Sequence, residues 1–173
     1  MAKKIFKKPD TSSSGPSSRL NSPNKKIIKL EDVSLNSGDT VVLCHGHFNI
    51  IHPGHVRYLD YARQQGTKLI VSIQGENSFF NSNRKHHFLE SERAAGVASL
   101  QTVDQVVLLG EGSLEDLIKV LNPAVLVLGK EFEYEQVDQV SEAVQLLKKL
   151  GGKILFHAGE IHYASADFLR DNL

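Results

Sequence analysis

The chain has 173 residues with twenty basic and twenty acidic side chains, and 40% of its positions are hydrophobic. This is enough apolar material for one α/β domain with a real core, and the mixed charge fits a soluble globular protein. The single cysteine, Cys44, excludes an intramolecular disulfide framework and fits a reducing cytoplasm, and no apolar run approaches the roughly 20 residues of a membrane span.

Met1 to Gly15 carries charge without a following apolar stretch, so it is not a signal peptide. Residues 1–29 hold eight basic side chains against one acid, Asp10, and Pro9 to Pro23 is rich in Ser, Pro and Asn without apolar periodicity. Residues 1–26 are therefore expected to form a disordered basic leader, and 27–173 a single domain. A solvated leader that offsets an acidic domain is favoured over a nucleic-acid tail, because no aromatics are interleaved with arginines as a single-strand platform requires.

Ile27 to Leu30, followed by Glu31-Asp32, reads as a short lead-in to the loop Asn36 to Asp39. Thr40 to Cys44 is apolar and β-branched, a buried strand. Val56, Tyr58, Leu59 and Ala62 then follow at helical spacing to about Gln65, with Gly66 as the expected C-cap. Thr67 to Ile73 reads as a second strand, and Gln74 to His87 as a polar loop. Phe88 to Leu100 reads as a helix in which Gly96 is a weak spot. Val103 to Leu109 is the third strand. Ser113 caps a helix to Leu121, with Asp116 in a capping-box position, and Asn122-Pro123 ends it. Ala124 to Leu128 is the fourth strand. Gln136 to Leu150 is an amphipathic helix through Val137, Val140, Val144, Leu146 and Leu147, stopped by Gly151-Gly152. Lys153 to His157 is the fifth strand, and Ser165 to Asn172 starts a last helix. The alternation predicts an α/β protein, a Rossmann-like doubly wound five-stranded parallel sheet. Its ligand edge lies at the strands' carboxyl ends, where the loops at His45–His55, Gln74 and Gly129 meet.

The first of those loops is the string Gly46-His47-Phe48-Asn49-Ile50-Ile51-His52-Pro53-Gly54-His55. Pro53 suits the first position of a helix. His52 and His55 then fall at the helix mouth, where backbone N–H groups and the dipole favour negative charge. Two imidazoles there make a cradle for a triphosphate. A His-x-x-His pair also suits zinc, but no third ligand follows at a recognisable spacing.

The string resembles the G-x-F-D-x-x-H-x-G-H signature of the cytidylyltransferase-like nucleotidyltransferases, and the resemblance runs from about Thr40 to the end. Val41 to Gly46, Glu92-Arg93 and Val103 to Val106 look closest to the branch of ADP-heptose synthase and glycerol-3-phosphate cytidylyltransferase. That branch includes fusions to a ribokinase-type sugar kinase. The resemblance implies transfer of a nucleotidyl group from CTP or ATP to a phosphorylated sugar or polyol, with release of pyrophosphate. The attack is in line, without a covalent intermediate. Because the attacking phosphate is already an anion, no general base is required; the protein must hold two anions together and stabilise the charge that develops. The resemblance assigns catalysis to His52 and His55, and nucleotide binding to Gly46, His47, Phe48, Gly54, Gly129, Glu131 and Ser165. Gly54 is expected to let the chain turn so that both imidazoles face inward. Mg²⁺ is expected to arrive with the nucleotide, with no metal ligand from the protein. A homodimer is implied, as is a chain that forms the N-terminal part of a longer, kinase-fused protein.

Four positions depart from the family pattern. Asn49 replaces the acid after Phe48. A lysine expected after the second strand aligns with Asn81, with Arg84 or Lys85 as substitutes. The lysine of the loop Leu128-Gly129-Lys130-Glu131-Phe132 comes two places late. Of the serine-rich helix start that binds phosphate, Ser165 remains, with Arg170 as a further candidate. These departures motivate a second reading, a catalytically weak nucleotide-binding or regulatory module. A fragment of a class I aminoacyl-tRNA synthetase would share the histidine motif, but the chain is short for one and shows no anticodon-binding region. His45 borders the site, and a His45/His47 metal pair is a weaker idea; His86, His87, His157 and His162 have no motif behind them.

Overall fold

Parallel strands with helices on both faces are what the alternating apolar runs require, and the computed structural model, which describes residues 24–75, 88–134 and 138–157, has that arrangement. Among the described residues six strands form one sheet: β1 (Ile27–Lys29), β2 (Val41–Gly46), β3 (Lys68–Ile73), β4 (Gln105–Leu108), β5 (Val125–Gly129) and β6 (Lys153–His157). They lie side by side in the order β1-β4-β3-β2-β5-β6, every neighbouring pair parallel. The helices are α1 (Pro53–Arg63), α2 (Glu90–Ala98), α3 (Leu114–Leu121), a single turn α4 (Glu131–Tyr134) and α5 (Asp138–Lys149).

Side-chain alternation on the central strands splits the core in two. Val42 and Cys44 of β2, with Leu69, Val71 and Ile73 of β3, pack beneath Tyr58, Leu59 and Ala62 of α1 and Ala94 and Val97 of α2. Val41, Leu43, Ile70, Leu126 and Leu128 point the other way, against Leu117, Ile118 and Leu121 of α3 and Ala143 and Leu147 of α5. Helices on both faces make the sheet doubly wound. The chain runs outward from β2 through β3 to β4, then returns through α3 to place β5 on the other side of β2. Strand order therefore reverses at β2, and the crevice this leaves at its carboxyl end is where α/β sheets take their ligands.

The expectation of five strands is one short. Ile27–Lys29, read as a lead-in, pairs with β4 through Ile27–Val106, Ile28–Val107 and Lys29–Leu108. Three residues are too few for alternation to register, so backbone pairing rather than side-chain period makes this strand. Gly66 also differs from its expected role. Helix α1 ends at Arg63 with Gln64 as a right-handed C-cap. Gly66 instead sits where any side chain would strike the carbonyl of Thr40 and the Val42 side chain. Close packing, not helix termination, is its reason.

Ser113 caps α3 as read: its hydroxyl accepts from the Asp116 N–H at 3.1 Å, and the Asp116 carboxylate reaches back. Asn122 ends the helix in the left-handed conformation at φ 40°, a place where asparagine is tolerated. Residues 1–23, with most of the expected leader, lie outside the described residues, as does the helix expected from Ser165.

Candidate active site

Strand β2 delivers the chain to the sheet's carboxyl edge at Gly46, and Pro53 starts α1 seven residues later. Between them Phe48 anchors the turn. It is buried, and its backbone takes φ 50°, a region a bulky side chain enters at a cost of order 1–3 kcal/mol unless packing holds it there. The packing is visible on both sides. A Cβ at Gly46 would meet the Phe48 ring at 3.0 Å, and the His55 ring lies 5.0 Å from it, centroid to centroid. Gly46 thus has a packing reason, which is to make room for Phe48.

His52 is the N-cap of α1, and its Nδ1 accepts the Gly54 N–H at 3.1 Å. An Nδ1 that accepts carries no proton, so the neutral ring bears its hydrogen on Nε2 and offers it as a donor. The capping also narrows the anion site expected from the sequence. Pro53 has no N–H, Gly54's is taken by His52, and Val56's bonds the His52 carbonyl. Imidazole N–H groups, more than backbone amides, are therefore what this helix mouth offers a phosphate.

His55 follows one turn-face away, and the two imidazoles stack with centroids 3.9 Å apart and planes inclined by 24°. Gly54 makes the stack possible by its size. A Cβ there would lie 2.9 Å from Cε1 and Nδ1 of His52. Its φ is not among the positive ones, so the expected turning role gives way to a steric one. Burial, then Arg57 nearby, lowers the His52 pKa. Burial and the neighbouring His52 bring His55 down to about 4, against a hydrogen bond to the Ile50 backbone that favours protonation. Both rings are accordingly neutral at pH 7.

Three more elements hold the edge together. The Gln74 N–H bonds the Gly46 carbonyl at 3.0 Å, joining the loop after β3 to the end of β2. Asn49 Oδ1 accepts the Phe88 N–H at 2.8 Å, so the amide in the place of the family acid ties the turn to the start of α2. Glu90, in the first turn of α2, accepts the Gly110 N–H at 3.0 Å. Arg93, fully buried, donates from Nη1 to the His47 carbonyl and from Nη2 to the Gln74 carbonyl, both at 2.8 Å, and from Nε to the Phe88 carbonyl at 3.0 Å.

His45 is buried on the α3 side, its Nδ1 2.9 Å from the Ser72 hydroxyl, which donates on to the Cys44 carbonyl at 3.2 Å. Burial lowers its pKa to about 4, so the ring is neutral with Nδ1 engaged by Ser72, and raises the Cys44 thiol to about 12, so Cys44 is not a ready nucleophile. Among the described residues no group of three or more metal-ligating side chains converges. A small cavity of ≈ 30 Å³ beside His45 is lined by Gln74, Gly110 and Ser113. A wider, apolar groove of ≈ 390 Å³ runs between Phe48–Ile51 and α2. Neither is lined by the histidine pair, whose chemistry rather than whose cavity marks the site.

Of the residues singled out from sequence, Gly46, His47, Phe48, His52, Gly54 and His55 share the one turn, and Gly129 ends β5, the strand beside β2. Glu131 opens α4, but its side chain lies outside the described residues, as do Asn81, Arg84, Lys85, Ser165 and Arg170. Arg93, noted from sequence only as part of the Glu92-Arg93 resemblance, is the functional candidate to which sequence reasoning assigned no role. It falls four residues before Val97 on the buried stripe of α2, and a charge at an apolar-stripe position is the signal that points to it.

A doubly wound parallel sheet with a His-x-Gly-His turn at its switch point defines a Rossmann-like nucleotide-handling domain. The chain belongs to the cytidylyltransferase-like family of nucleotidyltransferases, whose model matches residues 43–164. It is 34% identical over 133 residues to the bifunctional protein HldE of Aliarcobacter butzleri, covering 75% of this chain and 28% of that protein. It is 35% identical over 131 residues to HldE of Alcanivorax borkumensis, covering 74% and 26%. The chain thus matches little more than a quarter of the length of these curated relatives. Among solved structures, the lipopolysaccharide core biosynthesis protein of Thermoplasma volcanium superposes with a TM-score of 0.60 at 26% identity, covering 72% of this chain and 100% of that one. No helix among the described residues is long and apolar enough to cross a membrane.

Proposed function

We propose that the chain transfers a nucleotidyl group from CTP or ATP to a phosphorylated sugar or polyol, releasing pyrophosphate. The observation that carries this reading is the pair of stacked, neutral imidazoles at the mouth of α1, with Nε2–H of His52 free of the helix cap. In-line attack by an acceptor phosphate needs no base; it needs donors aimed where negative charge grows on the α-phosphate and the leaving pyrophosphate. His52 supplies one from Nε2–H, and His55, whose ring already bonds the Ile50 backbone, supplies a second when the phosphate draws a proton onto it, backed by the positive end of α1. Gly46, His47 and Phe48 form the wall of the turn beside the triphosphate, and Gly129 lines the far side of the switch point. Glu131, Ser165, and Asn81, Arg84, Lys85 and Arg170 are carried over as nucleotide or phosphate ligands from the sequence pattern alone.

The imidazole donors of the turn suit phosphate oxygens rather than a hard cation, and among the described residues no group of three or more metal-ligating side chains converges, so Mg²⁺ belongs with the nucleotide. Bound there, the ion neutralises phosphate charge. The HldE relatives support a sugar phosphate as acceptor and a place in saccharide synthesis. A kinase domain fused to this one, a homodimer and a cytoplasmic location belong to the same proposal.

The test is pyrophosphate release with Mg²⁺, offering CTP and ATP separately against a panel of sugar and polyol phosphates, with His55→Ala beside the wild type. Release with one pair, lost in the variant, supports the reading. Nucleotide binding without release under any pair favours the weak binding module. If calorimetry detects neither CTP nor ATP binding, the transferase reading fails.

A further inference from the structure

We propose that Arg93 is a positioning residue for the transfer reaction: its guanidinium locks the histidine turn to the loop after β3 and so sets where the imidazoles stand. The inference rests on the nucleotidyltransferase reading and goes beyond it, to a residue whose guanidinium is taken up by backbone carbonyls.

The geometry assigns this role in three steps. A guanidinium taken out of water is costly, and an apolar side chain of similar size would fill the space beneath α2 more cheaply. The site therefore uses the charge for something packing cannot supply. What it supplies is a planar fork that reaches three carbonyls in three different segments: His47 in the turn, Gln74 after β3, and Phe88 before α2. Only arginine spaces its donors in a rigid plane that way; a lysine ammonium is a single point at the end of a flexible stem.

The segments it joins are the ones that flank the site. His47 adjoins Phe48, whose ring rests against His55. Gln74 bonds the end of β2 through its own N–H. Asn49 makes a second joint to the same region through Phe88. Displacing Arg93 would thus release the turn from α2 while leaving β2, α1 and the opposite face of the sheet in place.

Arg93→Lys is the test, read in two ways. In steady-state kinetics on protein shown by circular dichroism to be folded, kcat is expected to fall at least about tenfold while nucleotide KM changes less than about threefold. Misplaced donors cost the transition state more than the ground state. A residue that only supports the fold would lower the melting temperature and leave kcat per folded molecule unchanged. Independently of turnover, the imidazole ¹⁵N and ring-proton signals of His52 and His55 are expected to shift in the variant, with the backbone signals of α5 unmoved. If the wild type has no activity, the functional reading fails while the imidazole spectra still decide the role of Arg93. Should Arg93→Lys not fold, Asn49→Ala opens the exposed joint of the same clamp and should shift the same ring signals. Wild-type kcat or wild-type imidazole signals in the folded variant would overturn the proposal.

Discussion

Gly54→Ala separates the chemistry of the histidine turn from the stability of the fold. The new Cβ would stand 2.9 Å from two atoms of the His52 ring, where ordinary contact begins at 3.4 Å, so the ring must retreat by about half an ångström. Nothing else is struck, and a side-chain tip yields more easily than backbone. Alanine is preferred over glycine in a helix by up to about 1 kcal/mol. The weakened cap from Gly54 N–H to His52 costs about 1 kcal/mol. These nearly cancel, and a residue of 1 kcal/mol moves the melting temperature of a chain this size by only about 2–4 °C. The reaction is less forgiving, because an ångström of misplacement can cost on the order of 100-fold. For half an ångström the expected result is a kcat/KM for pyrophosphate release reduced about tenfold, with a urea midpoint close to wild type. If kcat/KM stays within about twofold of wild type, the stacked geometry is not what the reaction uses. A large loss of stability would show instead that the backbone, not the ring, bears the clash.

Nucleotide binding should take up protons. The His55 pKa is about 4 in the free protein, and a polyphosphate against it can only raise that value, so affinity rises as pH falls from 7. Calorimetry at pH 6 in two buffers of different ionisation enthalpy measures the uptake, and zero uptake or release contradicts it. His45 makes an acid-sensitive contribution of another kind. Its pKa is near 6.5 unfolded and about 4 folded, so the unfolded chain binds the proton first. Stability is full above pH 6.5 and is lost toward pH 4, by roughly 3 kcal/mol from this group. Urea titrations across that range should show a shallower acid limb in His45→Asn. Leu59→Ala, at a fully buried position on the inner face of α1, should cost about 2–5 kcal/mol and lower the melting temperature without changing kcat of the folded fraction.

The sheet was legible because β2, β3 and β5 are apolar runs buried by helices on both faces; that β2 runs on through His45, buried on the α3 side, was not, since a histidine does not extend an apolar run. The histidine turn was legible because Pro53 and Gly54 fix where a helix must start. What the sequence withheld was the reason for individual residues. Gly46, Gly54 and Gly66 all read as backbone devices, yet each is explained by a ring or a carbonyl that tertiary structure brings against it. Arg93 stood out only within the Glu92-Arg93 resemblance and had no role assigned, because the carbonyls it binds belong to residues 5, 19 and 46 positions away. β1 was missed since a three-residue strand has no period to detect.

Among the described residues that short strand forms one edge of the sheet. Ile27–Lys29 covers the outer side of β4, and Lys26 secures it by donating from Nζ to the Leu100 carbonyl at 2.9 Å. Remove the chain up to Leu30, and Val106 and its neighbours would present an unpaired row of donors and acceptors to any passing strand. A truncation chosen for tidiness at the start of β2 would therefore leave the histidine turn intact and still yield a protein prone to pairing edge to edge. Any shortening that is to keep this edge covered must retain Asn24, whose carbonyl receives the Ile27 N–H.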